Sequence, residues 1–273
     1  MLGTPQFGDV KVISNSGIVG TVSHGTAVPE NATTNLYGAV TELIASADNT
    51  QDSWGIFIHA WGTGVSATGT EAALDILIGG ATDDVLVSSL LIGGSYDSAV
   101  TSYFFPVHIP AGLRIAARLA SVRTAITDPR VLVYLYGGTP PPFRVGRKIT
   151  TYGTKINDSR GLAVVPATSG GAASVTEMTA STTDDHFYLY PGFQASTDGV
   201  MNVRSFNVGI GVGADTAERI GTWWYWTSTA EHIGGPVPSL GAWRNVPSGS
   251  RLTLLVSSSG TNDTYDGHIY AVT

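Results

Sequence analysis

The chain has 273 residues, of which 42% are hydrophobic and only 13% charged, with 34 glycines and no cysteine. Disorder fits such a composition badly, because charge is about half the roughly 25% usual in globular proteins while Trp 6, Tyr 11 and Phe 8 are present, and helical bundles fit badly because only three of the 14 basic residues are Lys and long runs of Ala, Glu, Lys and Leu are missing. A formal charge of −7 repels a phosphate backbone and argues against a nucleic-acid binder, and the missing cysteines exclude disulfides, thiol catalysis and thiolate metal sites.

Residues 1–37 read as a Gly- and Ser-rich N-terminal arm with short apolar patches at Val10 to Ile13 and Gly17 to Val22. Asp9 and Lys11 interrupt Met1 to Gly20, and no run reaches the roughly 18 apolar residues of a membrane span, so neither a signal peptide nor a membrane partner is expected.

Residues 38–137 read as a first β-sandwich domain. Leu36 to Ala47 holds the best helical period in the chain, yet Val40, Thr41 and Ile44 fit an opening strand equally well, and it is read as one. Further strands are predicted at Trp54 to Trp61, Ala73 to Ile78, Val85 to Ile92, Arg114 to Ser121 and Val131 to Tyr136. Alternation turns Ile115, Ala117 and Leu119 inward, and Arg114, Ala116 and Arg118 outward. The preceding Pro110-Ala111-Gly112-Leu113-Arg114 is a structural signature in which Pro fixes φ, Gly supplies the turn and Arg begins the exposed face. Asp83-Asp84 offers carboxylates for calcium, but loop acids of this kind are more often solvated turn formers.

Residues 138–172 read as a connector, stiffened at the start by Pro140-Pro141-Pro142. Arg144, Arg147, Lys148, Lys155 and Arg160 give it a local positive patch against a net-negative chain, suited to an acidic protein surface, although a solvated linker accounts for it as well. Lys155 to Leu162 faintly echoes Lys11 to Ile18, as if the connector carried a second arm.

Residues 173–273 read as a second β-sandwich domain, with strands at Val175 to Ser181, Phe187 to Tyr190, Val200 to Ile210, Gly221 to Thr227, Arg251 to Ser257 and Ile269 to Val272. It repeats the first. Val40-Thr41-Glu42-Leu43-Ile44-Ala45-Ser46 returns as Val175-Thr176-Glu177-Met178-Thr179-Ala180-Ser181, and the Pro-x-Gly-x-Arg signature returns at Pro247, Gly249 and Arg251. Between them Asp75 to Gly80 resembles Asn207 to Val212, and the last strands match at an offset of 137. Units of about 100 residues are whole sandwich domains, too long for solenoid repeats.

Chemistry-bearing residues are sparse. Gly209 to Gly213 lacks the Lys-Ser/Thr end and following helix of a phosphate loop and reads as a strand entering a turn. Asp184-Asp185-His186 and Asp263, Tyr265, Asp266, His268 are oxygen and imidazole donors without a recognisable ligand spacing. Neither a Gly-x-Ser-x-Gly elbow nor His-Glu-x-x-His occurs, so the chain is expected to be no enzyme and to need no cofactor or metal. The Asn-x-Ser/Thr triplets at Asn31, Asn157 and Asn262 are taken as chance. In Trp223-Trp224-Tyr225-Trp226, alternation puts Trp223 and Tyr225 on one face and Trp224 and Trp226 on the other, so one pair is core and the other meets a loop, a subunit or a ligand.

Around Phe105-Pro106-Val107-His108-Ile109-Pro110-Ala111-Gly112-Leu113-Arg114-Ile115-Ala116-Ala117-Arg118, with Val40 to Ser46 and Asp75 to Gly80, the sequence resembles tailed-bacteriophage virion structural proteins. The resemblance implies tandem jelly-roll-like antiparallel β-sandwich modules, an all-β fold, and no catalytic residues. Copy two departs from it at Leu252-Thr253-Leu254-Leu255, so no role of Arg118 carries over there. The expectation is a virion protein that decorates or cements the outside of a capsid, with the major capsid protein or other virion proteins as partners and self-association as a homotrimer. The alternative is a tail or head-fibre module that binds a host glycan through Trp224 and Trp226, and a glycosidase on the same scaffold is a third option.

Overall fold

The computed structural model describes residues 10–15, 25–61, 72–79, 82–92, 100–122, 129–155, 161–167, 172–195, 204–213, 218–227, 233–237, 240–260 and 264–273. Among them every regular element is a strand, and every ladder between strands is antiparallel. The first nine are β1 (Val10–Ser14), β2 (Thr26–Ala27), β3 (Thr41–Ile44), β4 (Ser53–Trp61), β5 (Ala72–Gly79), β6 (Asp83–Leu91), β7 (Thr101–Phe105), β8 (Arg114–Ser121) and β9 (Arg130–Gly138). They form sheet I, in the order β1-β9-β4-β7 with β2 also on β9, and sheet II, β3-β8-β5-β6. Then follow β10 (Ile149–Tyr152), β11 (Leu162–Val164), β12 (Ser174–Thr179), β13 (His186–Ala195), β14 (Arg204–Val212), β15 (Glu218–Thr227), β16 (Ile233–Val237), β17 (Ala242–Val246), β18 (Leu252–Ser258) and β19 (Tyr265–Val272). Sheet III runs β10-β19-β13-β17 with β11 on β19, and sheet IV runs β12-β18-β14-β15-β16.

The chain is thus two β-sandwich domains with one strand order, β16 being an addition to the second. Two antiparallel sheets packed face to face, with sequential strands distributed between them, is the jelly-roll solution to burying a sheet face. The segments read as arm and connector contribute strands: β1 and β2 pair with β9, and β10 and β11 pair with β19.

Register sharpens the duplication. Ile115 faces Ile78 across sheet II and Leu252 faces Val212 across sheet IV, so Asp75 corresponds to Gly209 and not to Asn207. Ile56 faces Leu135 as Leu189 faces Ala271, which makes the offset of the last strand 136 rather than 137. Ile13 faces Leu135 and Thr150 faces Ala271, so Lys11 corresponds to Lys148, and the resemblance to Lys155 is one of composition.

The Pro-x-Gly-x-Arg turn is built alike in both copies. Gly112 and Gly249 adopt φ of 77° and 82°, a left-handed conformation that costs other residues about 1–2 kcal/mol. Gly112 donates its N–H to Asn49 O, and Gly249 donates to Thr182 O. The arginines then pair with acids of their own sheets, Arg114 with Asp83 on β6, one strand beyond β5, and Arg251 with Glu177 on the adjacent β12.

Sheet III is buried on both faces. Leu189, Phe193, Ile269 and Ala271 point into the second sandwich with Phe206, Val208, Leu252 and Leu254. Their neighbours Tyr188, Tyr190, Tyr270 and Val272 point the other way and complete the core of the first sandwich, with Tyr103, Phe105 and Val87. Tyr103 lies 5.4 Å from both Tyr190 and Tyr270 by ring centroids. Each phenol at this junction finds a backbone partner, because an unpaired hydroxyl in such a site costs about 1–3 kcal/mol. Tyr188 donates to Phe104 O at 3.0 Å, Tyr190 to Ser102 O at 2.9 Å and Tyr103 to Leu91 O at 2.5 Å. Tyr270 donates to Ser89 O at 3.0 Å and accepts from Leu91 N at 2.9 Å.

Candidate functional site

Strand β15 carries its aromatic run as alternation dictates. Trp223 and Tyr225 are buried in the second sandwich, where the Trp223 indole donates to Leu240 O at 2.8 Å and the Tyr225 hydroxyl to Pro191 O at 2.9 Å. Trp224 and Trp226 stand on the outer face, 52% and 47% exposed. The strand is held on both sides, by β14 and by β16, so the two indoles project from a paired ladder and not from a loop.

The basic residues of 138–172 do not act as one group. The Arg144 guanidinium lies 4.4 Å over the Phe187 ring, a cation–π contact. Arg147 is exposed, and its backbone N–H donates to Thr273 O at 2.9 Å. Lys148 Nζ is 2.8 Å from Asp184 Oδ2, and this bond, then that from Thr183, holds the Asp184 carboxyl below its usual range. Lys155 is exposed beyond β10, and Arg160 lies outside the described residues.

Beside Arg144 the fold assembles an aromatic patch that sequence reasoning missed. Phe143 and Trp243 are 43% and 45% exposed with ring centroids 5.2 Å apart, and Trp243 also contacts Phe187 and Tyr188. Leu240, 49% exposed, precedes β17. The signal available was the duplication itself, since the counterparts of Leu240 and Trp243 in the first copy are Tyr103 and Pro106.

A shallow cleft of about 550 Å³ opens on the first domain, lined by Lys11, Gln51, Asp52, Trp54, Gly138 and Thr139. The Trp54 ring stacks on His108 with centroids 4.7 Å apart, and its indole N–H donates to Gly138 O. Asp52 accepts the backbone N–H of Ala111 at 2.9 Å, which chiefly holds its carboxyl below the usual range, and lies 3.6 Å from His108 Nε2. The cleft therefore offers one indole beside an acid, an amide and an ammonium group.

The acidic positions considered as ligands are used elsewhere. Asp185 accepts from Ser248 N, Asp83 pairs with Arg114, and His186 is buried against Tyr152 and Thr273. Asp266 is buried with Gln194 Nε2 3.3 Å away, and His268 Nδ1 lies 2.9 Å from Ser89 O. Among the described residues no three His, Asp or Glu side chains converge on a metal-sized space. Asn157, Asn262 and Asp263 lie outside the described residues.

The fold and these surfaces define a double β-sandwich protein with aromatic outer faces. No family model matches the chain, and no curated relative does. Among solved structures, PNGF-II is similar with a TM-score of 0.37 and 7% identity over 96% of this chain, which spans 65% of that one. PNGase F, a glycosylasparaginase from Flavobacterium meningosepticum, is similar with a TM-score of 0.33 and 8% identity over 97% of this chain and 96% of that one. The infectious bursal disease virus VP2 subviral particle is similar with a TM-score of 0.25 and 9% identity over 82% of this chain and 58% of that one. One expectation from sequence is corrected here: the similar structures include PNGase F, a glycosylasparaginase, so the chain is not classed as a non-enzyme.

Proposed function

We propose that the chain is a structural component on the outside of a virus particle, decorating or cementing a tailed-phage capsid through the outer face of β15. The observation that carries this reading is the pair Trp224 and Trp226, half-exposed on a strand whose alternate residues are core. Tryptophan is the residue type most enriched where interfaces concentrate their energy, often about 2 kcal/mol or more per side chain. A paired strand presents both rings with little conformational entropy left to lose on binding. The partners in this reading are the major capsid protein and further copies of the chain, and the sequence resemblance to tailed-phage virion proteins supports it.

The test is co-sedimentation of the purified chain with particles that lack it. Wild type should pellet with the particles and make them more resistant to heat or low salt. Trp224→Ser/Trp226→Ser should stay folded and remain in the supernatant. Equal binding by both proteins, or no binding by wild type, rejects the proposal.

The cleft at Trp54 favours a second reading, recognition of a host surface glycan. An indole stacks on the apolar face of a sugar ring while Asp52, Gln51 and Lys11 bond its hydroxyls. Binding on a glycan array that Trp54→Ala abolishes, with Trp224→Ser neutral, would select this reading over the first.

A further inference from the structure

Among the described residues two apolar surfaces are left exposed, and the duplication suggests what fits them. On the outer face of sheet I, Val12 is 50% exposed, and Phe57, His59, Tyr134 and Tyr136 are partly exposed. They form a connected aromatic surface, with Phe57 and His59 4.5 Å apart and His59 and Tyr134 5.8 Å apart by ring centroids. By register Val12 corresponds to Ile149, Phe57 to Tyr190, Tyr134 to Tyr270 and Tyr136 to Val272. All four counterparts are buried, because the β6–β7 end of the first domain sits on that face of sheet III.

The other half of that junction also has an open counterpart. Tyr103 of β7, 1% exposed, seats between Tyr190 and Tyr270. Its equivalent in the second domain is Leu240, 49% exposed. Among the described residues the chain therefore carries one docked pair of surfaces and one exposed pair at equivalent positions, although β16, which the first domain lacks, packs against β7 beside the exposed end. The undocked pair sits on opposite domains, so only a second copy brings its halves together.

We propose that the chain self-associates head to tail: the β15–β17 end of the second domain of one copy docks on the outer face of sheet I of the next, with Leu240 seated between Phe57 and Tyr134. Two different patches meet at such a contact, so it is heterologous and produces a ring when the rotation closes and a filament when it does not. The internal junction gains from a tether with an effective concentration on the order of mM, so the contact between copies is weaker and depends on concentration. This inference does not rest on the capsid reading, which uses Trp224 and Trp226.

Sedimentation velocity on the full chain from about 1 µM to 1 mM spans the concentration range in which such a contact forms. Wild type should exceed the single-chain mass and grow with concentration. Leu240→Glu, which removes one half, and Val12→Glu or Tyr134→Glu, which remove the other, should each sediment as a single chain. Leu240 and Val12 are half-exposed, so those variants should keep the wild-type Tm and circular dichroism. Mixing Leu240→Glu with Val12→Glu should restore a two-chain species and nothing larger, since one live donor meets one live acceptor. Wild type that stays single at every concentration, variants that still assemble, or a mixture that stays single each overturn the proposal.

Discussion

Asp185 and Ser248 are joined by a 2.7 Å hydrogen bond from the Ser248 backbone N–H to the carboxylate, and the first domain repeats it between Asp52 and Ala111 at 2.9 Å. Each acid holds the central residue of a Pro-x-Gly turn, while a second polar side chain pins the turn's carbonyl. Asn49 Nδ2 donates to Pro110 O at 3.0 Å, and Thr182 Oγ1 donates to Pro247 O at 3.0 Å. An added Cβ at Gly112 or Gly249 meets nothing within 4 Å, so only the backbone conformation opposes a side chain there. Gly112→Ala and Gly249→Ala should each lower stability by about 1–2 kcal/mol, read from urea midpoints at unchanged m-value. Matching wild-type midpoints would show that the turn tolerates another conformation.

Adjacent tryptophans on β15 should behave oppositely. Trp223→Ala removes a buried ring and a satisfied indole N–H, for a loss of about 3–5 kcal/mol. Trp224→Ala, at a half-exposed position, should stay within about 0.5 kcal/mol of wild type. Thermal melts of the two variants decide this, and similar losses for both would contradict the alternation of core and surface.

Asp75 bridges β5, β6 and β8. Its carboxylate accepts Arg118 Nη2 at 2.7 Å and Nε at 2.9 Å, and the Ser89 backbone N–H at 2.8 Å where Ser89 has φ of 54°. Arg118 also lies 4.6 Å over the Tyr37 ring. The second domain has Gly209 and Leu255 at the equivalent positions and no such pair. Asp75→Ala removes both guanidinium hydrogen bonds and leaves the buried Ser89 N–H without its acceptor, and should cost about 1–3 kcal/mol. Asp75→Gly/Arg118→Leu, the second domain's solution, should cost clearly less than the sum of its single changes in a double-mutant cycle.

Two histidines set an acid limit on stability. Burial pulls the imidazoles of His59 and His186 below their ordinary value of 6.5, and His186 receives only partial compensation from Asp184. The unfolded chain therefore binds more protons than the folded one just below pH 6.5, so this stability is fully present above that pH and is lost as pH falls through the lowered folded values. Tm should drop between pH 7 and pH 5, and His59→Gln/His186→Asn should flatten that drop. An unchanged slope in the double variant would assign the pH dependence to other groups.

Because sheet III supplies part of both cores, the two sandwiches should unfold together. Differential scanning calorimetry should give one transition, with the calorimetric enthalpy equal to the van't Hoff value. Tyr270→Phe should shift that transition downward by about 1–3 kcal/mol, since Leu91 N and Ser89 O lose their shared hydroxyl. Two resolved transitions would mean that the junction is weaker than its packing.

Period-two alternation was legible wherever one face of a strand is core. It placed Trp223 and Tyr225 inside and Trp224 and Trp226 outside, and turned Ile115, Ala117 and Leu119 inward. The twin Pro-x-Gly-x-Arg strings likewise announced two equivalent turns, since a left-handed φ is a local demand that glycine meets. Sequence comparison misaligned Asp75 and the last strand because composition repeats over a residue or two, whereas ladder hydrogen bonds fix register. What covers a face is a long-range matter. Nothing local distinguishes Tyr190 and Tyr270, sealed beneath the first domain, from Phe57 and Tyr134 at the same positions of a partly exposed sheet. That difference arises only when one sandwich lands on the other, and it decides which aromatic surfaces remain for a partner.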